Sequence, residues 1–295
     1  MTMAANITYE VLRQGKRRSL DIRQVRYSVT EWGDPSAPTF VYLHGWGDSG
    51  ATFQFVVDAL QQDWHVVAPD WRGFGRSVVE CSSFWFPDYL ADLHALLDVY
   101  SPWIPARIVG HSMGANVGSL YAGTMPERVA AFVNIEGFGL NDSDPAAAPQ
   151  RYRQWLGQLL DPPRFTTYPD RQSLAAKIAS RSPRMSSAQA DFVAGEWTAR
   201  GKDGRLHLRA NVRHKLSNPV LYRRAEAEAC WRAITANILL VSGAASEFAL
   251  NFGPVGQGDW PRPETIEIPD AGHMLHFEAP LELAAAIETF FNKYL

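Results

Sequence analysis

The stretch Ala106-Arg-Ile-Val-Gly110-His-Ser-Met-Gly114-Ala-Asn-Val-Gly-Ser-Leu-Tyr121 decides the fold. Ala106 to Val109 reads as a short buried strand, and Met113 to Tyr121 carries apolar residues at helical spacing. Between them lies a G-x-S-x-G turn, Gly110 to Gly114. Small residues at its first and fifth positions permit a bend that bulkier ones would block. The bend lifts the Ser112 hydroxyl above the sheet and sets it at a helix N-terminus. A serine hydroxyl is a weak nucleophile alone, so this placement calls for a base and for oxyanion donors elsewhere in the chain.

Working outward, strands are expected at Thr39–Leu43, His65–Ala68 and Ala130–Ile135, with helices around 51–61 and at Tyr89–Val99. Continuous apolar strands separated by helices suit a parallel sheet covered on both faces. Ile7–Leu12 and Arg23–Thr30 alternate more and suggest an antiparallel hairpin feeding that sheet. The sheet resumes at Ile238–Val241 and Thr265–Ile268, and a last helix, Leu281–Tyr294, follows Pro280. From Leu140 to Arg232 the character is helical, without strong strand runs. This segment holds 16 Lys and Arg against 9 Asp and Glu, a net of +7, which leaves −10 for the rest of a chain whose net charge is −3. The expected organisation is therefore an α/β core, residues 1–139 and 233–295, with a basic helical cap, 140–232, inserted before the late strands. Complementary fields would help hold such a cap.

Composition narrows the function classes. The 295 residues are 46% hydrophobic and 20% charged, which is globular rather than disordered. A net charge of −3 supplies no basic field for nucleic acid or an acidic membrane. No cationic leader with a long apolar run and no stretch of about 18 apolar residues is visible, so a cytoplasmic protein without membrane attachment is expected. Cys81 and Cys230 are far apart and match no metal or redox spacing.

The candidate base is His273, in Asp270-Ala-Gly-His-Met-Leu-His276, where the preceding glycine allows close approach to the nucleophile. His276 and His111 read as structural. The oxyanion donors are expected to be the backbone N–H of Met113, at the helix N-terminus, and of Trp46, between the glycines of His44-Gly-Trp-Gly-Asp48. Asp70 and Arg72 read as braces for the turns around the site. Trp46, Trp71, Phe74 and Phe84-Trp-Phe86 could wall an apolar pocket, and Trp155, Trp197 and Arg209 could reach it from the cap.

With His44-Gly-Trp-Gly, Asp70-Trp-Arg-Gly-Phe-Gly-Arg-Ser77, Gly110-His-Ser-Met-Gly114 and Gly272-His273 in place, nearly the whole chain resembles the α/β-hydrolase fold superfamily. Within it, Ile135-Glu-Gly-Phe-Gly139 leading into a helical cap is similar to the capped serine hydrolase-like proteins. The resemblance implies a Ser–acid–His order and an acid in a G-x-x-D turn after the strand that follows the cap. Here that turn reads Gly243-Ala-Ala-Ser246-Glu247, with serine at the aspartate position. Serine cannot carry the charge that stabilises imidazolium. Glu247 is one residue late. Glu136, at the end of the strand before the cap, matches an alternative acid position of related capped hydrolases such as some haloalkane dehalogenases. A glutamate after the apolar run Phe132–Ile135 is also costly to bury unpaired. Glu136 is the preferred acid and Glu247 the rival.

The expected function is a serine hydrolase that cleaves carboxylic esters or related acyl compounds through an acyl-enzyme, with Ser112, His273 and Glu136 as triad and no metal or organic cofactor. Its substrate would be a small apolar ester of short to medium chain. C–C bond hydrolase, aminopeptidase, lactonase and perhydrolase chemistries use the same scaffold, and a binding protein that has lost turnover is the rival of another class. Dehalogenase and epoxide hydrolase chemistry would need an aspartate at position 112.

Overall fold

The computed structural model describes residues 8–248 and 260–294. The apolar runs form one eight-stranded sheet. In chain order its strands are β1 (Lys16–Ile22), β2 (Val25–Trp32), β3 (Thr39–Leu43), β4 (His65–Pro69), β5 (Ala106–His111), β6 (Val129–Ile135), β9 (Asn237–Gly243) and β10 (Glu264–Ile268). Their spatial order is β1-β2-β4-β3-β5-β6-β9-β10, and all neighbours are parallel except at β1–β2 and β2–β4. The fold is thus α/β, with a mostly parallel sheet.

Helices cover both faces because the central strands are apolar on both sides. On one face α1 (Gln54–Ala59) and α8 (Pro280–Phe291) pack Val56, Val57, Leu283, Ile287 and Phe290 against Phe40, Tyr42 and Val241. On the other, α2 (Pro87–Tyr100), α3 (Met113–Thr124) and α7 (Arg224–Arg232) bring Leu93, Leu97, Val117, Tyr121 and Trp231 onto Val41, Ile108 and Leu240. A buried ion pair braces the second face. Arg72 grips Asp92 through Nε (2.5 Å) and a terminal nitrogen (2.7 Å), and the Tyr27 hydroxyl donates to the same carboxylate (2.5 Å). Asp70 accepts from the N–H of Gly50 and of Arg76, both at 2.8 Å, and so ties two loops.

The first hairpin departs from the sequence reading. Residues 8–12 form no strand, Ile7 lies outside the described residues, and the first strand is Lys16-Arg-Arg-Ser-Leu-Asp-Ile22. This is an edge strand exposed along most of its length, so it carries charge in place of an apolar alternation. Its pairing, Lys16 with Glu31 through Ile22 with Val25, is decided by the turn at Arg23 and Gln24, both at positive φ.

Between β6 and β9 the chain carries α4 (Ala148–Leu160), α5 (Arg171–Arg181), α6 (Ser187–Trp197) and α7. It also holds a short hairpin, β7 (Thr198–Arg200) with β8 (Leu206–Leu208), too brief to give a strand signal in sequence. Leu174, Ile178, Val193 and Ala194 of α5 and α6 form a third core with Phe55 and Phe277. The charge pattern at this contact is mixed. Arg184 pairs with Glu282 at 3.2 Å as complementary fields would have it, but Glu196 of α6 pairs with Arg17 and Arg76 from the sheet side.

Candidate active site

The turn after β5 is as tight as its glycines imply. A Cβ on Gly110 would lie 2.6 Å from Ala115 Cα, and one on Gly114 would lie 2.1 Å from the Leu43 carbonyl oxygen. Ser112 sits at φ 51°, ψ −114°, a conformation L-residues rarely adopt, with its N–H on the Ile135 carbonyl (2.8 Å). Strained backbone at a strand-to-helix turn is what projects a side chain off the sheet end. The loop after β3 crosses this turn closely, since a Cβ on Gly45 would come within 3.3 Å of Ser112 Cβ. Trp46 and the positive-φ Gly47 follow that glycine, and Trp46 and Met113, at the start of α3, line one cavity.

Glu136, directly after β6, is buried and also holds positive φ (56°). Its carboxylate faces donors only. Oε1 accepts from the Gly243 N–H at 2.9 Å, and Oε2 accepts from the Ser246 hydroxyl at 2.5 Å and from His273 Nδ1 at 2.7 Å. Ser246, at the position where the family resemblance puts an aspartate, thus hydrogen-bonds a carboxylate supplied by the neighbouring strand. Glu247 is exposed and makes no bond to His273. With Nδ1–H donating to Glu136, His273 keeps Nε2 as an acceptor. No hydrogen bond joins Ser112 Oγ to a described side chain here, and such bonds commonly tighten only when substrate binds. Phe248, which sequence inspection missed, stacks on the His273 ring at 4.0 Å.

A second His–carboxylate pair lies beneath, also missed in the sequence. His276 Nε2 donates to Asp48 Oδ2 at 3.0 Å, while Asp48 Oδ1 accepts from the Thr52 hydroxyl and from Trp197 Nε1, each at 2.7 Å. His111 Nε2 donates to the His273 carbonyl at 2.9 Å. Asp48, His111 and His276 bring potential metal-ligand atoms within 4.8 Å of one another; Asp48 Oδ2 and His276 Nε2 are bonded to each other, while Nδ1 of His111 and Nδ1 of His276 are buried without a partner among the described residues. The group links the β3 loop, α6 and the loop of His273.

The aromatic residues divide. Trp71 and Phe74 are core, with Trp71 Nε1 on the His44 carbonyl (3.0 Å). Trp46, Phe84, Phe86, Met113 and Trp155 line a cavity of about 220 Å³. Trp197 is held by Asp48, and Arg209 donates to the Thr198 carbonyl at 2.9 Å. His214, also on the cavity wall, is sandwiched between Phe74 (3.7 Å) and Phe84 (3.5 Å).

Burial sets the charge state of these histidines. It lowers His44, takes His111 well below the ordinary 6.5, and pushes His214 down to about 3. Each stays neutral when folded and takes up a proton on unfolding once the pH is below about 6.5. Their stabilisation is therefore full above that pH and is lost as the pH falls toward the folded values. Each ring adds about 1.4 kcal/mol per pH unit to the slope while it remains neutral. Burial pushes Asp48 up, but its bonds to His276 and Thr52 outweigh that and hold it low, so it acts in the same sense at lower pH; Asp70, raised by burial, opposes it. Urea unfolding should show stability dropping from pH 7 to pH 5; a flat or rising profile would contradict neutral burial of these rings.

Comparison with known proteins agrees with this architecture. The α/β hydrolase fold family matches residues 38–280, and the chain belongs to that family. It is 29% identical over 285 residues to a 3-hydroxybutyrate-oligomer hydrolase of Cupriavidus necator, covering 90% of this chain and 92% of the relative. A serine hydrolase-like protein of Danio rerio is 25% identical over 275 residues, covering 88% and 83%. Among solved structures, the thioesterase domain from the curacin biosynthetic pathway superposes with a TM-score of 0.80 at 22% identity, covering 94% of this chain and 99% of that one. With hydrolases among its relatives, the chain is a hydrolase-family protein. No helix among the described residues is long and apolar enough to cross a membrane.

Proposed function

We propose that the protein is a serine hydrolase of carboxylic esters and related acyl compounds, working through an acyl-enzyme. The observation that carries this reading is the 2.7 Å bond from His273 Nδ1 to the buried Glu136, which leaves Nε2 as the base. His273 takes the Ser112 proton as Oγ adds to the carbonyl, and the N–H groups of Met113 and Trp46 hold the oxyanion. Collapse expels the alcohol with the proton from His273. Water, deprotonated by the same imidazole, then cleaves the acyl-enzyme. Glu136 holds the tautomer and stabilises imidazolium.

Residues 140–232 act as a cap over this centre, through Trp155 and the loop bearing His214. The cavity of about 220 Å³ suits short acyl groups on the Met113 side. The hydroxybutyrate oligomers named for the Cupriavidus necator relative fall within this ester class.

The test is covalent and catalytic together. A fluorophosphonate should add one equivalent to Ser112 by peptide mass spectrometry, and p-nitrophenyl acetate, butyrate and octanoate should be hydrolysed, the shorter esters faster. An unmodified Ser112, or hydrolysis no faster than in Ser112→Ala, would overturn the reading.

A further inference from the structure

Beside the cavity at Trp46 and Met113 lies a second one of about 340 Å³, and the two share Phe86 and Asn218 as walls. It runs along α3 toward α7, and Leu120, Leu140 and Trp231 make much of its lining apolar. Two amides interrupt that lining. Asn116 lies one turn beyond Ser112 on α3, and Asn218 stands at the boundary between the cavities. Asn116 Oδ1 accepts from the Gly139 N–H at 2.9 Å, and Asn218 Oδ1 accepts from the Val220 N–H at 3.0 Å. A backbone N–H can only donate, so these bonds set both amide orientations and leave the two NH₂ groups as the remaining donors. Neither Nδ2 has a partner among the described residues. Donors on an apolar wall favour a ligand that brings an acceptor over one that is hydrocarbon throughout.

We propose that this second chamber binds a further ester unit of the acyl chain, whose carbonyl accepts from Nδ2 of Asn116 and Asn218. The substrates are then oligoesters of short hydroxy acids. The inference rests on the reading of Ser112 as nucleophile. From a carbonyl held beside Met113, the chain passes Phe86 and enters the second chamber. An alkyl chain of the same length would bring no acceptor to the exposed Asn218 or the half-buried Asn116.

Two probes of equal chain length test this. The p-nitrophenyl ester of 3-acetoxybutyrate carries a second ester where p-nitrophenyl hexanoate carries methylenes. The acetoxybutyrate should have a kcat/KM about tenfold higher, the net worth of the two amide hydrogen bonds at about threefold each. Asn116→Asp and Asn218→Asp keep the Oδ1 acceptor and replace the donor, so each should lower that ratio toward one. A ratio near one in the wild type, or unchanged in both variants, would overturn the proposal.

Occupancy can be read without turnover. Cys230 is a free thiol on the wall of the second chamber, and Cys81 is not on that wall. In Ser112→Ala protein, methyl 3-acetoxybutyrate should slow alkylation of Cys230 by iodoacetamide several-fold and leave Cys81 unaffected. An unprotected Cys230 at saturating ester would sink the subsite. Ester turnover that persists without Ser112 would sink the nucleophile assignment instead, so the two failures are distinguishable.

Discussion

Glu136→Gln lowers kcat on p-nitrophenyl acetate by about 10⁴-fold, the cost of a wrong histidine tautomer. The carboxylate accepts three donors: the Gly243 N–H, the Ser246 hydroxyl and His273 Nδ1–H. A glutamine must turn its NH₂ toward one side of that set. Against Gly243 it would oppose a fixed backbone donor. Against Ser246 and His273 it meets a hydroxyl that can rotate to accept and an imidazole that can move its proton to Nε2. The second arrangement is the cheaper one, and it leaves His273 without an acceptor for the Ser112 proton. Glutamine keeps the volume, so the fold should persist while the rate falls. Glu247→Gln, at an exposed position, should change kcat by less than twofold. Wild-type turnover in Glu136→Gln with loss in Glu247→Gln would transfer the acid role to Glu247.

Ser112→Ala should lower kcat by about 10⁶-fold, because base and acid have nothing to activate once the hydroxyl is gone. Its stability should stay close to wild type, since alanine retains the Cβ at φ 51° and with it the strain. Ser112→Gly should be equally inactive yet more stable by about 1 kcal/mol. Glycine adopts positive φ at little steric cost, and the relief of strain exceeds the added entropy of the unfolded chain. Urea unfolding of the three proteins reads this directly. A glycine variant less stable than wild type would mean that the turn is not under strain.

The glycines at 110 and 114 show how much of the turn was legible: each abuts backbone closely enough that the motif describes the geometry. The acid position was only partly so. The serine at 246 announced a departure from the G-x-x-D pattern, and the apolar run before Glu136 made that glutamate a candidate. Its bond to His273 joins residues 137 apart, a relation without local periodicity. The same holds for Asp48 and His276, 228 apart, which read as a loop residue and a structural histidine with no partner named and form a buried pair.

The sequence by itself determined the class of fold and the strand-turn-helix that projects Ser112. Buried strands, helix faces and tight turns are written in residues only a few positions apart, where sterics and apolar spacing act directly. It did not determine the first hairpin, whose edge strand is charged and exposed and so carries no burial signal. Only the tertiary structure decided which carboxylate faces His273, which aromatics line a cavity and which are core, and how Asn116 and Asn218 come to border one chamber. Those relations depend on where β6, β9 and the helices between them end in space. Packing of the whole chain sets those endpoints, and no segment encodes them alone.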